Sequence, residues 1–336
     1  MIKEAIKKLV EEQSLSQDEA SAVMEEIMAG EATPAQFGAF VTALRLKGET
    51  TDEIVGLALV MRARAVPVST TRPVVDTCGT GGDSAGTFNI STAAAFVAAG
   101  VGCSVAKHGN RAMSSQCGSA DVLEALGVRI DLDAAQVGRC LEEVGIGFMF
   151  APLFHPAMKY AAAPRREIGI RTVFNILGPL TNPAGAGGQV IGVADGSLGG
   201  KIATVLMGLG SRHALVVHGD DGLDEISVCQ SSQVWELKDS VIKSYNVAPE
   251  DFGLSRAEEG SLSGGNATTN AALLRAVLEG TPGPRRDAVL LNAAAALVAC
   301  DSAASLKEGV PLAREALDNG SALAKLKELI EFGSCL

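Results

Sequence analysis

Residues 76–92 read DTCGTGGDSAGTFNIST, and the interpretation of the whole chain depends on this stretch. It follows the β-prone pair Val74-Val75 and leads through Ser91-Thr92 into an alanine-rich run typical of a helix. Four glycines lie within eight of its residues: Gly79, Gly81, Gly82 and Gly86. Glycine permits positive φ and close approach to a ligand, and a helix N-terminus favours anions, so the stretch predicts a phosphate-binding loop. Ordinary turn formation would explain the same glycines without a ligand.

Two common nucleotide-binding loops do not fit this stretch. No Gly-Lys-Ser/Thr sequence closes it, as a Walker loop requires. Ser84 also stands where the dinucleotide fingerprint has glycine or alanine. The stretch therefore gives little support to ATP or NAD as the ligand.

A second polar loop follows at residues 107–127, which read KHGNRAMSSQCGSADVLEALG after the strand-like run 103–106. Few protein cores tolerate such a density of polar groups, so we expect a binding loop. The polar side chains concerned are Lys107, His108, Asn110, Arg111, Ser114, Ser115 and Ser119.

Together, GTGGD with NIST and KHGNRAMSS with GSADVLEALG make the chain resemble the anthranilate phosphoribosyltransferases. The resemblance extends from about Glu4 to Leu297 and includes three further stretches: HPAM at 155–158, the arginine pair with VFNILGPLTNPA near 165–184, and DGLDEIS at 221–227. That family joins anthranilate to phosphoribosyl pyrophosphate (PRPP) in tryptophan biosynthesis. The resemblance implies the same transferase activity here.

Length, composition and charge limit the other possibilities. A chain of 336 residues predicts about two domains, and 47% hydrophobic with 4% aromatic residues is typical of helices packed on a sheet. A net charge of −11 argues against a nucleic-acid partner. The N-terminus lacks an apolar signal region, and no run is long enough to span a membrane. We therefore expect a soluble, cytoplasmic protein that binds neither nucleic acid nor membrane.

The seven cysteines are odd in number and show no Cys-x-x-Cys spacing. This pattern suggests neither a zinc site nor a disulfide framework. We expect reduced thiols.

Residues 1–66 predict four short helices: the first from the apolar stripe of Ile2, Ile6, Leu9 and Val10, and the other three from capping signals. The signals are Ser16 with Glu19, Thr33-Pro34 with Gln36, and Thr50 with Glu53. Such a bundle could be a dimer surface, a lid or a stabilising appendage. The resemblance implies a homodimer through this helical domain.

From Arg72 onward, β-prone runs alternate with helical ones, which predicts an α/β fold with a mostly parallel sheet and crossover helices. The predicted strands are 74–77, 103–106, 128–130, 146–150, 189–193 and 213–218, with a hairpin-like pair at 233–237 and 241–246. The predicted helices are 92–100, 119–126, 133–144 and 198–209, then 268–279, 286–300 and 321–332.

The interval 155–174 breaks this alternation, because it is helical and lacks a clean strand. In the family that the chain resembles, this segment returns to the helical domain. The resemblance therefore implies a smaller, discontinuous all-helical domain of residues 1–70 with 155–180. The α/β domain is then 71–336 without 155–180, with hinges near 66–75 and on either side of 155–180.

Four carboxylates lie within six residues at 220–225. Carboxylates, waters and substrate phosphates are the ligands that Mg²⁺ prefers, although acidic surface turns are also common. The resemblance implies that Ser91, Asp224 and Glu225 bind about two Mg²⁺ ions per monomer.

The resemblance also implies the donor site, where PRPP loses pyrophosphate from an oxocarbenium-like ribose. Lys107 and the N–H groups of 79–83 suit the leaving charge. Asp83 is harder to place, since a carboxylate repels phosphate unless it orients the loop, holds metal-bound water or caps the turn. The implied PRPP-binding residues are Gly79, Thr80, Gly81, Gly82, Asp83, Thr87, Asn89, Ser91, Thr92, Lys107 and Ser119.

The acceptor, anthranilate, carries a neutral amine, so the protein must mainly position it. The resemblance assigns its carboxylate to Arg165, which can bind it through two hydrogen bonds; pairing with Glu167 would be a purely structural alternative. We assign His108 to binding and leave a role in proton transfer open. The other implied acceptor-binding residues are Gly79, Asn110, His155, Gly178 and Pro179.

Two alternatives remain. A pyrimidine nucleoside phosphorylase shares the architecture, but it would bind one phosphate and leave DGLDEIS without a use. A non-catalytic, nucleic-acid-binding relative would show salt-sensitive DNA affinity without turnover.

Overall fold

A computed structural model describes residues 1–112 and 116–336. The chain begins with four helices: α1 (Ile2–Val10), α2 (Gln17–Met28), α3 (Pro34–Lys47) and α4 (Thr51–Ala63). The predicted capping boxes of α2, α3 and α4 are all formed, each with its side-chain oxygen accepting from the backbone three residues on. Local capping chemistry therefore fixes where these helices begin.

A seven-stranded sheet follows, in the order β3-β2-β1-β4-β5-β6-β7. The first five strands in this order are parallel, and β6 and β7 add an antiparallel hairpin at one edge. This arrangement confirms the predicted fold class. The strands are β1 (Val74–Gly79), β2 (Ser104–Gly109), β3 (Ile146–Phe150), β4 (Gly188–Gly192), β5 (His213–Gly219), β6 (Ser232–Lys238) and β7 (Val241–Val247).

Helices cover both faces of this sheet. Two of them, α5 and α13, lie next to each other in the core and are almost entirely buried, because they consist mainly of alanine, valine and leucine. The remaining helices are α5 (Ile90–Val101), α6 (Ser119–Ala125), α7 (Ala134–Glu143), α8 (Ala151–Phe154), α9 (Lys159–Ile168), α10 (Phe174–Leu177), α11 (Gly199–Gly208), α12 (Ala267–Leu278), α13 (Pro284–Ala299), α14 (Leu306–Asp318) and α15 (Ser321–Ser334). No helix of residues 1–112 or 116–336 has the length and apolar character needed to cross a membrane.

The buried apolar side chains form two clusters. One contains the face of the sheet covered by α5 and α13. The other joins α1–α4 to α11, and it also includes Ala161 of α9 and Phe174 of α10. Segment 155–180 thus packs on the N-terminal helices, as expected for a chain that leaves the sheet after β3.

Two predictions about the elements were wrong. Residues 128–130 form no strand: Val128 and Ile130 are buried in the core, but β3 is the edge of the sheet and the run has no partner strand. Helix α14, which contains Pro311, was not predicted. A proline inside a helical pattern normally argues for a break.

The expectation of reduced cysteines was also wrong for one pair. Cys103 and Cys300 form a disulfide, with Cα atoms 6.6 Å apart and a sequence separation of 197. The start of β2 meets the end of α13 at this point, a proximity that cysteine spacing alone does not reveal. The other five cysteines are free.

Candidate active site

The polar motifs meet at the carboxyl ends of the parallel strands. β1 lies between β2 and β4: the strands β2 and β3 follow on one side of it, and β4 and β5 on the other. Such a switch point leaves a crevice where ligands bind in open α/β sheets. The glycine loop leaves β1, the second polar loop leaves β2, and the acidic turn leaves β5.

The glycine loop encloses Asp224. Gly81 and Gly82 have φ values of 63° and 79°, a region that favours glycine, and both are exposed. The Gly81 N–H donates to Asp224 Oδ2 at 2.8 Å. A Cβ on Gly79 would lie 2.2 Å from the same oxygen, so glycine is needed there to admit the carboxylate.

At the N-terminus of α5, a backbone N–H group likewise donates to a carboxylate, that of Glu225. The Ser91 N–H donates to Glu225 Oε1 at 3.1 Å. Beside it, the Thr92 hydroxyl is buried without a hydrogen-bond partner in the described residues. Carboxylates thus occupy the N–H donors that a phosphate would use.

The two carboxyls of the acidic pair, Asp224 and Glu225, have raised pKa values. Burial, with repulsion from Asp83, raises the pKa of Asp224 to about 7. Burial and Asp224 raise the pKa of Glu225 well above its usual value, and Lys107 only partly offsets this. No three His, Cys, Asp or Glu side chains within 1–112 and 116–336 are grouped to hold a metal alone. Two adjacent carboxylates are nevertheless ligands of the kind that Mg²⁺ takes, because Mg²⁺ completes its coordination with water and phosphate oxygens.

Lys107 supplies a buried cation at the end of β2. It is 3% exposed, and its Nζ donates to the Thr77 carbonyl at 2.6 Å. Burial lowers its pKa, while Asp76 and Glu225 act in the opposite direction. Asp76 in turn accepts from the His108 N–H at 3.2 Å and from Asn182 Nδ2 at 2.8 Å. This network fixes the direction in which the strand end presents its side chains.

Other predicted donor residues lie on the same loops and contact neighbouring parts of the protein. Asn89 bonds the Cys117 carbonyl at 3.2 Å and Asn270 at 2.9 Å. Thr87 forms a backbone bridge with Ser263, and the Ser119 hydroxyl donates to the Asn110 carbonyl at 3.4 Å. Ser114 and Ser115 lie outside the described residues.

The Asp83 carboxyl interacts with the turn that follows it and with Asp224. Its Oδ1 accepts from the Ala85 N–H at 3.3 Å, which is the turn contact expected of a capping residue. Its carboxyl also faces Asp224 and raises the pKa of that group. Asp83 therefore adds negative charge next to the acidic pair.

Two buried histidines, His108 and His155, lie close together in the structure. The rings of His108 and His155 have centroids 5.0 Å apart, and their Nε2 atoms have no hydrogen-bond partner in the described residues. Burial, with repulsion from His155, lowers the pKa of His108 to about 3, although the Gly178 backbone raises it in part. Burial lowers the pKa of His155 to about 4. Both rings are therefore neutral near pH 7.

Arg165 is an unpaired cation on α9. Its guanidinium carbon lies over the Phe174 ring, 5.5 Å from the centroid, and burial lowers its pKa. Within the described part of the chain, its guanidinium makes no ion pair or hydrogen bond. Pairing with Glu167, the structural alternative, does not occur. Three other residues were predicted for the acceptor. Asn110 is exposed, the backbone of Gly178 accepts from His108, and the Pro179 carbonyl accepts from Gln189 at 3.0 Å.

Sequence reasoning missed Arg171. Its Nη2 donates to the Thr80 carbonyl at 3.2 Å, and a Cβ on Gly82 would lie 1.5 Å from its Nη1. Segment 155–180 therefore reaches across to the glycine loop. No local pattern distinguishes Arg171 from the exposed Arg166, so only the fold reveals this contact.

Comparisons with known proteins define the class first. Residues 3–65 match the description "Glycosyl transferase family, helical bundle domain", and residues 71–323 match "Glycosyl transferase family, a/b domain". The anthranilate phosphoribosyltransferase of Moorella thermoacetica is 59% identical over 331 residues, which cover 98% of either chain. The chain belongs to the anthranilate phosphoribosyltransferase family.

Solved structures agree with this assignment. The anthranilate phosphoribosyltransferase of Thermus thermophilus has a TM-score of 0.94 and 46% identity, covering 98% of this chain and 99% of that one. The Saccharomyces cerevisiae enzyme in complex with PRPP and Mg has a TM-score of 0.92 and 28% identity, covering 100% and 98%. The nucleoside phosphorylase and nucleic-acid-binding alternatives receive no support from these relatives.

Proposed function

We propose that the residues of this site carry out the family's reaction: transfer of the phosphoribosyl group of PRPP to the amine of anthranilate, releasing pyrophosphate. The observation that carries this proposal is the convergence of the glycine loop, the N-terminus of α5, Lys107 and the acidic pair. Oriented N–H donors and a buried cation stabilise charge that develops on a departing pyrophosphate. The eleven donor residues predicted from the sequence keep that assignment.

Mg²⁺ fits this site. Ser91, Asp224 and Glu225 would hold it, and when bound it would neutralise charge on the pyrophosphate. Burial and mutual repulsion raise the pKa values of both carboxyls, and a bound cation would favour their ionised forms, which supports this assignment. We propose about two ions per monomer, on the strength of the resemblance to the family.

The acceptor would bind between Arg165 and the two histidines. Arg165 offers its guanidinium to the carboxylate, and the neutral rings of His108 and His155 offer a wall that does not repel or protonate the amine. A neutral aromatic amine can attack the ribose carbon without prior deprotonation, so position matters most. We assign His108 to binding, and its unpartnered nitrogen could receive the proton released afterwards.

The domain division, assembly and location are also proposals. We propose a helical domain of residues 1–70 with 155–180, an α/β domain of the rest, a cytoplasmic location and a homodimer through the helical domain. The homodimer rests on the resemblance to the family. Sedimentation equilibrium measures the assembly, and a monomer at micromolar concentration would contradict the homodimer.

The deciding test of the function is the loss of anthranilate fluorescence on addition of PRPP, with and without Mg²⁺. We expect turnover with Mg²⁺ and none after EDTA treatment. The double variant Asp224→Asn with Glu225→Gln should require far more Mg²⁺ or lose activity, because the neutral amides bind the ion weakly, while its melting temperature is kept or rises. Unchanged Mg²⁺ dependence in the double variant would refute the metal assignment.

The Arg165 assignment has its own test. Arg165→Ala removes a charge-assisted pair worth about 1.5–3 kcal/mol, so acceptor affinity should fall about 10- to 150-fold while PRPP affinity hardly changes. Arg165→Lys should recover only part of the loss, because an ammonium lacks the planar fork. Titration of each variant with donor and acceptor separately measures this, with the exposed Arg166→Ala as the control. Equal weakening of both substrates would reject the assignment.

A further inference from the structure

Arg165 lacks the surroundings that usually stabilise a partly buried guanidinium. Within residues 1–112 and 116–336 it has no carboxylate partner, and its guanidinium carbon lies over the face of Phe174 at 5.5 Å from the ring centroid. A cation over an aromatic face is attracted by the negative charge of the ring face. Among the described residues, Phe174 is the aromatic side chain that makes a cation–π contact with Arg165.

The Phe174 ring is itself held in place by the helical bundle. It is 4% exposed, and its centroid lies 5.2 Å from that of Phe37 on α3, with the two rings tilted by 46°. Phe37 is 2% exposed, so neither ring can swing into solvent without opening the core. The bundle thus fixes a rigid surface on which the Arg165 guanidinium rests.

We propose that Phe174 is a positioning residue that holds the Arg165 guanidinium ready for the carboxylate of the acceptor. The guanidinium N–H groups make no hydrogen bond within the described residues, so a cation held over the ring keeps them available for two parallel hydrogen bonds to a carboxylate. Phe174 would then help to determine that the acceptor carries a carboxylate beside its amine. This inference rests on the proposed role of Arg165.

The test compares Phe174→Leu with a matched control. Phe40→Leu makes the same change at a fully buried position of the same apolar cluster, without a contact to Arg165. The probes are anthranilate as substrate, benzoate as an inhibitor with only the carboxylate, and aniline as an inhibitor with only the amine. Loss of the cation–π contact should weaken anthranilate and benzoate about 2- to 30-fold, leave aniline unchanged, and raise KM rather than lower kcat.

Two further variants separate the possible outcomes. Phe174→Tyr keeps the ring face and should restore benzoate binding, whereas Phe40→Leu should lower the melting temperature without changing the ratio of benzoate to aniline affinity. In the Arg165→Ala background, Phe174→Leu should cause no additional loss of benzoate affinity, because the two residues act through one contact. Additive losses, or equal weakening of benzoate and aniline, would overturn the inference. If Arg165→Ala itself leaves benzoate affinity intact, the proposed role of Arg165 fails instead.

Discussion

His108 and His155 show how burial affects the pKa of single residues. Burial lowers the pKa of these imidazoles to about 3 and about 4, against about 6.5 in an unfolded chain. Between pH 6.5 and about 4 these two histidines therefore bind more protons in the unfolded state than in the folded state, and their contribution to stability falls as the pH falls. The raised pKa values of Asp224 and Glu225 act in the opposite direction, so the comparison must be made between the wild type and a histidine variant. Each histidine should contribute a slope of about 1.4 kcal/mol per pH unit in this window.

Urea unfolding between pH 7 and pH 4.5 measures this slope. Replacement of His155 by Asn removes one of the two histidine contributions. As the pH falls from 7 to 4.5, the free energy of unfolding of the variant should therefore fall less than that of the wild type. The half-buried His218, which bonds the Val193 carbonyl at 2.8 Å, provides the control. Equal slopes for the wild type and His155→Asn, or an equal change in His218→Asn, would contradict the explanation.

At the same scale, the sequence identified the residues that lie in contiguous motifs. Lys107, His108, Asp224 and Glu225 could be proposed from the sequence because they lie in short polar motifs at or after the ends of strands and match the family's pattern. Arg171 was not found, because its contact with Thr80 depends on how segment 155–180 packs against the sheet. An arginine in the connection between α9 and α10 carries no local signal of such a contact.

Among the elements, the glycine loop depends on the absence of a side chain at position 79. A Cβ there would lie 2.2 Å from Asp224 Oδ2 and 2.8 Å from its Cγ. Gly79→Ala should therefore displace Asp224 and weaken Mg²⁺-dependent PRPP binding, with a smaller effect on folding. Calorimetric titration with PRPP and Mg²⁺ measures this, with Gly187→Ala as control, because a Cβ at 187 meets nothing within 4 Å. PRPP affinity unchanged in Gly79→Ala would contradict the role given to this glycine.

The elements were predictable to the extent that their causes are local. Ser16, Thr33 and Thr50 cap helices through bonds to residues three positions on, so the helix starts could be read from the sequence. Strand order has no such local cause, and neither does the meeting of Cys103 with Cys300 across 197 residues. Residues 128–130 have the composition of a strand, but a strand also needs a neighbour to bond.

For the whole molecule, the residues proposed for the two substrates lie on different parts of the chain. The proposed donor residues belong to the sheet with its loops and helices, whereas Arg165 and Phe174 lie in a segment packed on the N-terminal helices. Arg62, at the end of α4, donates to the Leu180 carbonyl at 2.7 Å and to the Leu209 carbonyl at 3.1 Å. It therefore connects the helical bundle to both segment 155–180 and the end of α11.

This attachment predicts that catalysis requires closure about the proposed hinges near 66–75 and 176–182. Closure would bring the acceptor to the ribose carbon and exclude water, which would otherwise hydrolyse PRPP. Small-angle scattering should show a smaller radius of gyration with PRPP, Mg²⁺ and the unreactive acceptor analogue benzoate than without ligands. Either ligand alone should give less compaction, because each contacts mainly one part of the chain. Arg165→Ala, which loses the acceptor contact, should not compact further when benzoate is added to the PRPP complex. Identical profiles for the free and doubly liganded protein would contradict closure.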